Sequence, residues 1–186
     1  MRVIAGRLGG RTLVAPAGSG TRPTSDRVRE ALFSILGDVG GVDVLDLYAG
    51  TGALGIEALS RGAASATFVE RDRGALRALR KNVETLGLEA ESRIFPIAVE
   101  RALAQATWGA AAFDVVFMDP PYVEVRDGAF DPRVARAVDQ ALAPSLRPDG
   151  RLVLEHAKGE TPPRVLGLAL ESTRTYGDTA LSFYLR

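Results

Sequence analysis

The sequence predicts an α/β fold: a mostly parallel sheet of seven strands, with helices on both faces and an antiparallel C-terminal strand. Short apolar runs alternate with amphipathic segments from residue 43 onward, which is typical of parallel strands joined by right-handed helical crossovers. Two further strands flank a turn at Gly177-Asp178, and this final hairpin brings one antiparallel strand into the sheet. We expect one domain of 186 residues, with a core at 43–186 and an N-terminal extension at 1–37.

The N-terminal extension is predicted to contain a hairpin, a loop and a helix. Residues 2–14 suggest two short strands around Gly9-Gly10, a pair that supplies the positive φ of a tight turn. Residues 15–23 are rich in Pro, Gly, Ser and Thr and predict a loop. The helix is predicted by one apolar stripe, which consists of Val28, Ala31, Leu32, Ile35 and Leu36. It begins after a cap within 24–26 and ends at Gly37.

The core elements are predicted from their apolar patterns and their caps. The five strands before the final hairpin are predicted at 42–48, 66–70, 92–97, 113–118 and 151–157. The helices between them are predicted at 53–62, 74–87, 99–106 and 133–146. Asp131-Pro132 is a typical N-cap and first-turn pair, and it opens the last of these helices.

The composition excludes several kinds of chemistry. The chain has no Cys and its only His is His156, so disulfides, thiolate catalysis, Cys-ligated metals and multi-His metal sites are excluded. We expect no metal. No apolar run approaches the roughly 20 residues that span a bilayer, and the N-terminus lacks the apolar segment of a signal peptide. We therefore expect a cytoplasmic protein without membrane contact.

The charge is unevenly distributed, although the net charge is zero. Residues 1–30 carry six arginines against two acids, Asp26 and Glu30. The arginines are Arg2, Arg7, Arg11, Arg22, Arg27 and Arg29. A basic N-terminal extension on a neutral protein suits the local binding of a polyanion. The alternative is that the extension is simply exposed to solvent.

A glycine-rich loop follows the first core strand. Gly50, Gly52 and Gly55 match the pattern G-x-G-x-x-G between a strand and a helix, and Glu70 closes the next strand. This arrangement is found in proteins that bind dinucleotides. Glycine spacing alone discriminates poorly, because any ligand that approaches the backbone closely requires glycines there.

Asp46 favours a cationic cofactor at this loop. It lies four residues before Gly50, near the carboxyl end of the strand, where its charge would repel a pyrophosphate and attract a sulfonium or ammonium group. We therefore predict S-adenosylmethionine rather than NAD, with Glu70 accepting hydrogen bonds from the ribose hydroxyls. The alternative is that Asp46 and Glu70 only end strands and cap neighbouring helices.

The run FDVVFMDPPY predicts a second functional loop at the end of an apolar strand. An exocyclic amine is a poor nucleophile, and acceptors for its two hydrogens favour a nitrogen with an available lone pair. The Asp119 carboxylate and the Pro120 carbonyl can be those acceptors, and Pro121 stiffens the turn. Tyr122 offers a face for stacking the target base. We expect Asp119 also to face the methyl group of the cofactor, and the alternative is an ordinary Pro-Pro loop.

Together these motifs make the chain resemble the bacterial 16S ribosomal RNA guanine-N2 methyltransferases. The resemblance rests on RVIAGRLGGR, RPTSDRVREALFSIL, DLYAGTGALGIEALSRGA, VERD, FMDPPY and YGDTALSFYLR, which extend over nearly the whole chain. It implies a Rossmann-like class I methyltransferase fold, S-adenosylmethionine as cofactor and 16S ribosomal RNA as partner, in the 30S subunit or an assembly intermediate. We expect a monomer.

The resemblance also implies roles for individual residues. The stretch around Arg22 and Thr24 is expected near cofactor and RNA, Arg71 of VERD at the cofactor, and a backbone group of Ala98 at the adenine. The arginines expected to contact RNA phosphates are Arg2, Arg7, Arg11, Arg22 and Arg27. Glu155 could line the target pocket, although a strand-end role is the simpler interpretation.

Other functions remain open at this point. A DNA or RNA adenine-N6 methyltransferase could use the same DPPY motif, and a protein-glutamine methyltransferase ordinarily has Asn in place of Asp119. A cofactor-binding ribosome assembly factor without turnover is the alternative from a different class.

Overall fold

The computed structural model describes residues 1–16, 25–106, 108–121, 124–126 and 128–186. Its helices are α1 (Asp26–Leu36), α2 (Ala53–Ser60), α3 (Arg73–Leu86), α4 (Val99–Gln105) and α5 (Pro132–Ser145). Its strands are β1 (Asp43–Leu47), β2 (Ser65–Val69), β3 (Ser92–Phe95), β4 (Phe113–Met118), β5 (Val125–Arg126), β6 (Ala129–Phe130), β7 (Leu146–Ala157), β8 (Ala169–Tyr176) and β9 (Thr179–Leu185).

Seven of these strands form one sheet in the order β3-β2-β1-β4-β7-β9-β8. The β1–β2, β2–β3 and β4–β7 pairs are parallel, whereas β9 runs antiparallel to both β7 and β8. The predicted mostly parallel seven-stranded sheet with an antiparallel C-terminal strand is confirmed. The chain divides into two compact units, Met1–Pro96 and Ile97–Arg186.

The first unit is built on the three parallel strands β1, β2 and β3. The middle of β1 and β2 is buried, and Val44, Leu45 and Phe68 have no exposed surface. Helix α2 is buried along nearly its whole length, whereas α3 buries one face and exposes the opposite face to solvent. Asp72 caps α3 by accepting a hydrogen bond from the Ala75 N–H at 2.8 Å.

Residues 1–16, which we call the arm, form an irregular hairpin. The predicted pair of strands is reduced to one bridge between Arg2 and Thr12, and a 3-10 turn occupies Gly6–Leu8. The prediction of two strands is wrong because buried side chains of α2 satisfy the arm's backbone. The N–H groups of residues 4 and 5 donate to the buried Glu57 carboxylate at 2.7 and 3.0 Å, and the Leu8 N–H donates to Ser60 Oγ at 3.0 Å.

Helix α1 buries Val28 and Leu32 of the predicted stripe, but the rest of its buried face differs from the prediction. Its buried residues are Val28, Arg29, Leu32 and Phe33, whereas Ile35 is 38% exposed. The Arg29 guanidinium is fully buried and donates to the Arg2 carbonyl at 2.6 Å and to Asp26 at 2.8 Å. Burial lowers the pKa of Arg29, and the nearby carboxylates oppose that shift. A buried arginine therefore anchors the arm, and periodicity of apolar residues alone does not find it.

The second unit contains β4, β7, β9 and β8, with the two helices α4 and α5. The predicted strand at 151–157 pairs with β4, but β7 begins earlier because Leu146 pairs with Phe113 across an irregular register. The short β5–β6 hairpin was not predicted. None of the helices in the described ranges is long and apolar enough to cross a membrane.

Strand β8 forms the outer edge of the sheet. Most of its residues are exposed, and its register with β9 shifts between Leu170 and Ser172. The predicted turn at 177–178 joins the two strands.

The single histidine lies inside the second unit. His156 is 1% exposed on β7, and its Nε2 is 2.8 Å from Ser182 Oγ on β9. Ser182 Oγ is in turn 2.8 Å from Thr173 Oγ1 on β8, so a chain of hydroxyls links the imidazole to the edge strand. Burial lowers the pKa of His156, and a hydrogen bond to the backbone of Ala157 opposes that shift.

Candidate cofactor site and the Asp119 loop

The glycine loop between β1 and α2 is shaped by internal packing. Gly52 caps α2 with φ of 82°, and a Cβ there would lie 2.4 Å from Leu79 Cδ1. A Cβ at Gly55 would lie 2.3 Å from Phe68 Cε1 on β2. These two glycines let α2 approach the sheet closely, so packing explains them even before any ligand is considered.

Asp46 is a buried carboxyl at the end of β1. Its side chain accepts a hydrogen bond from the Gly55 N–H at 2.9 Å, and the residue is only 2% exposed. Burial raises the pKa of Asp46 from 3.8 to about 7; the Gly55 hydrogen bond opposes this shift, and the negative charge of Glu70 adds to it. A cation beside Asp46 would therefore favour the ionised form of its carboxyl.

Glu70 brings the end of β2 against the glycine loop. One carboxylate oxygen accepts the Gly50 N–H at 2.8 Å, and the other accepts the Arg71 and Asp72 N–H groups, each at 2.7 Å. Two predicted cofactor residues, Gly50 and Glu70, are thus in direct contact. A carboxylate accepts about four hydrogen bonds, so room remains for roughly one ribose hydroxyl. Binding both hydroxyls would require Glu70 to release a backbone N–H.

Asn82 on α3 joins the glycine loop to the arm. Its amide nitrogen donates to the Thr51 carbonyl at 3.0 Å and to the Val14 carbonyl at 3.1 Å, and its oxygen accepts the Val14 N–H at 2.7 Å. The residue is 2% exposed. Sequence reasoning missed Asn82, although a polar residue beside Leu79 and Val83 on an apolar stripe was a usable signal.

The Asp119 loop follows β4 in the second unit. Asp119 is half-buried, Pro120 is buried and Pro121 is exposed. The Pro121 carbonyl accepts the Glu124 N–H at 2.8 Å. The fourth residue of the motif, Tyr122, lies outside the described residues, as do Arg22 and Thr24.

Two further predicted site residues of the second unit lie at element boundaries. Ala98 is the N-cap of α4, and its carbonyl accepts hydrogen bonds from the Arg101 and Ala102 N–H groups. That carbonyl is therefore occupied by the helix. Glu155 is 7% exposed on β7, and its carboxylate lies 3.5 Å from the hydroxyl of Thr179 on β9. No three potential metal ligands cluster in the part of the chain that the structure describes.

The arginines predicted to contact RNA differ in their surroundings. Arg2 lies 3.4 Å from Asp26, and Arg7 forms an ion pair with Glu91. Arg11 and Arg27 are exposed. Part of the arm's positive charge is thus balanced within the first unit.

The fold and the loop after β1 define a class of protein, the Rossmann-like class I methyltransferases. The solved structure titled "Putative methyltransferase yhhF from Escherichia coli" is similar to this chain, with a TM-score of 0.83 and 34% identity over 100% of this chain and 97% of that one. The model of the family described as "Conserved hypothetical protein 95" matches residues 1–185, and the chain belongs to that family.

Curated relatives add names within this family. The chain is 39% identical to "Putative rRNA methyltransferase YlbH" of Bacillus subtilis over 186 residues, which covers 99% of this chain and 98% of the relative. It is 44% identical to "Ribosomal RNA small subunit methyltransferase D" of Escherichia coli over 123 residues, which covers 66% of this chain and 60% of that protein. The family resemblance predicted from the motifs is confirmed.

Proposed function

We propose that the protein transfers a methyl group from S-adenosylmethionine to the exocyclic N2 amine of a guanine in 16S ribosomal RNA. The observation that carries the proposal is the buried Asp46 carboxyl beside the glycine loop. Both curated relatives described above are named as ribosomal RNA methyltransferases, which supports RNA as the substrate. The choice of guanine N2 rests on the motif resemblance, chiefly RPTSDRVREALFSIL.

The residues at the glycine loop fit a cationic cofactor. A carboxyl whose pKa is about 7 is ionised more readily when a positive charge approaches, so a sulfonium or ammonium group is stabilised beside Asp46. A pyrophosphate would be repelled by the ionised carboxylate and would gain no charge attraction from the protonated form. We expect Glu70 to accept a ribose hydroxyl and Gly50 to allow close approach to the backbone, with Gly52 contributing through its place at the start of α2. When bound, S-adenosylmethionine supplies the methyl group as an electrophilic carbon on sulfur, and the sulfur keeps the bonding electron pair.

The Asp119 loop supplies acceptors for the target amine. We assign one hydrogen of the amine to the Asp119 carboxylate and the other to the Pro120 carbonyl, which directs the nitrogen lone pair away from the base ring. Asp119 takes the proton that the nitrogen loses as it bonds to the methyl carbon. Tyr122 provides the stacking surface, and positioning provides most of the rate enhancement.

Label transfer tests this function directly. The protein is incubated with labelled S-adenosylmethionine and, separately, with 30S subunits, naked 16S RNA, DNA or release factor. We expect label on 16S RNA, and digestion to nucleosides should release N2-methylguanosine. Label on N6-methyladenosine would favour the adenine alternative, and label on DNA or protein alone would contradict the proposal.

A matched pair of variants tests the role of Asp119. Asp119→Asn keeps the size of the side chain but removes the carboxylate, so transfer should fall by at least about 100-fold, within the range of general acid–base effects. Its affinity for S-adenosylhomocysteine should stay within twofold of wild type. Asp139→Asn, on the exposed face of α5, is the control and should transfer normally. Full activity of Asp119→Asn would show that the assigned role is wrong.

A further inference from the structure

The exposed face of α3 carries a stripe of three arginines. Arg73, Arg77 and Arg80 lie at positions i, i+4 and i+7, which places them along one side of the helix at intervals of roughly 5–6 Å. All three are exposed, and none of them forms an ion pair with any side chain in the described ranges. We call this set the arginine stripe.

The arginine stripe borders the described end of the arm. Both border Gly74: Pro16 Cβ lies 3.7 Å from the position that a Cβ of Gly74 would occupy, and an Arg77 guanidinium nitrogen lies 3.9 Å from the same point. Asn82 fixes Val14, two residues earlier, against the same helix. The described end of the arm therefore lies beside the stripe.

The arginine stripe also begins beside the candidate cofactor residues. Arg73 is three residues after Glu70, and the stripe runs roughly 10 Å along α3 from there, at about 1.5 Å per residue. Residues 71–81 contain five basic residues against one acid. Further along the helix Lys81 is paired with Glu84 at 3.2 Å, so the unbalanced charge is confined to the first two and a half turns.

We propose that the arginine stripe binds phosphates of the RNA substrate and extends the RNA interface beyond the arm. The inference rests on the proposed function for the identity of the polyanion. Guanidinium groups bind phosphate oxygens through paired N–H donors, and a row of them fits a chain of regularly spaced negative charges. The exposed face of α3 lacks the aromatic and apolar anchors typical of the core of a protein–protein interface. RNA therefore fits this surface better than an acidic protein.

The test is RNA affinity as a function of salt for a triple variant. Arg73→Gln, Arg77→Gln and Arg80→Gln are combined, and a second variant changes three exposed arginines of the second unit by the same charge. Those control substitutions are Arg133→Gln, Arg136→Gln and Arg164→Gln. Binding to naked 16S RNA and to 30S subunits is measured by filter retention between roughly 50 and 200 mM salt. Over this range an affinity that depends on phosphate contacts falls steeply.

We expect the stripe variant to bind naked RNA at least about tenfold more weakly and to lower the slope of log K against log salt by about two to three. The control variant should keep the wild-type slope, and both should bind S-adenosylhomocysteine like the wild type. An unchanged slope in the stripe variant, or an equal loss in the control, would overturn the proposal. A loss confined to 30S subunits would assign the stripe to a ribosomal protein and would also overturn it.

Failure of the proposed function gives a different pattern. If wild-type protein binds RNA through the stripe but transfers no label to it, the stripe stands and the methyl-transfer proposal fails. If wild-type protein methylates RNA and the stripe variant binds it normally, only the inference about the stripe is wrong.

Discussion

Replacing Asp46 by Asn should stabilise the cofactor-free protein at alkaline pH. Burial raises the pKa of this carboxyl from 3.8 to about 7, so the folded state favours the protonated form. The ionised form is therefore destabilising: the loss of stability is absent below pH 3.8, grows between pH 3.8 and about 7, and is complete above that. At about 1.4 kcal/mol per pH unit, the full effect is about 4 kcal/mol.

The expected gain of the variant is smaller than this full effect. Asn keeps an oxygen for the Gly55 N–H, but its two new N–H groups in a buried place cost about 1–3 kcal/mol. The net gain in the free energy of unfolding at pH 8 is then about 1–3 kcal/mol, and the variant should be less stable than wild type near pH 4. Both values come from urea unfolding of the two proteins across this pH range.

The pH dependence of the difference is the decisive result. Asp38→Asn removes an exposed carboxylate and reports the effect of losing one charge without burial. A difference between wild type and Asp46→Asn that stays constant from pH 4 to 8 would show that ionisation of Asp46 does not destabilise the fold. Saturating S-adenosylmethionine should close the gap at pH 8, because a cation compensates the ionised Asp46 in wild type only.

Three further outcomes follow from the contacts described above. Asn82→Ala should lower the free energy of unfolding by about 2–4 kcal/mol and weaken binding of S-adenosylhomocysteine. The reason is that the substitution leaves buried backbone groups of the arm and the glycine loop unpaired. Unchanged stability and affinity would refute this role. Gly55→Ala should lower the free energy of unfolding by about 1–3 kcal/mol, since its Cβ would meet the Phe68 ring at 2.3 Å, and a melting temperature equal to wild type would contradict the packing. His156 should titrate below pH 6.5 in an NMR experiment, where the single histidine gives an unambiguous signal. Because the unfolded chain binds this proton more readily, stability should fall as the pH drops below about 6.5, and a titration midpoint above 6.5 would contradict the burial.

The sequence predicted the sheet and the glycine loop well because local patterns determine both. Strands β1, β2 and β4 are short apolar runs, and Gly50, Gly52 and Gly55 lie where a strand turns into a helix. The position of Glu70 was also predictable, since an acid at the end of the second strand meets the loop after the first in a parallel sheet.

The arm was predicted less well because distant residues determine its structure. Hydrogen bonds that a strand ladder would otherwise make are formed instead with Glu57, Ser60 and Asn82. The sequence of residues 2–14 contains no pattern that predicts these distant partners. The stripe of α1 was predicted only in part, at Val28 and Leu32, for the same reason. Arg29 is buried by its bonds to Asp26 and to the arm, whereas Ile35 is left at the surface.

The bonds that hold the arm also bear on the order in which the chain folds. The hydrogen-bond partner of Ile4 and Ala5 is Glu57, which is synthesised 53 and 52 residues later. The partner of Val14 is Asn82, which is synthesised 68 residues later. At about 5–20 residues per second, the ribosome adds Asn82 roughly 3–14 s after Val14. Arg29 and Glu57, which bind the first residues of the arm, are synthesised within that interval, so the Val14 end of the arm is the part that lacks its partner until Asn82 follows. The arm is therefore synthesised first in its unit, and a nascent chain that stops before Asn82 lacks the α3 contacts that hold Val14.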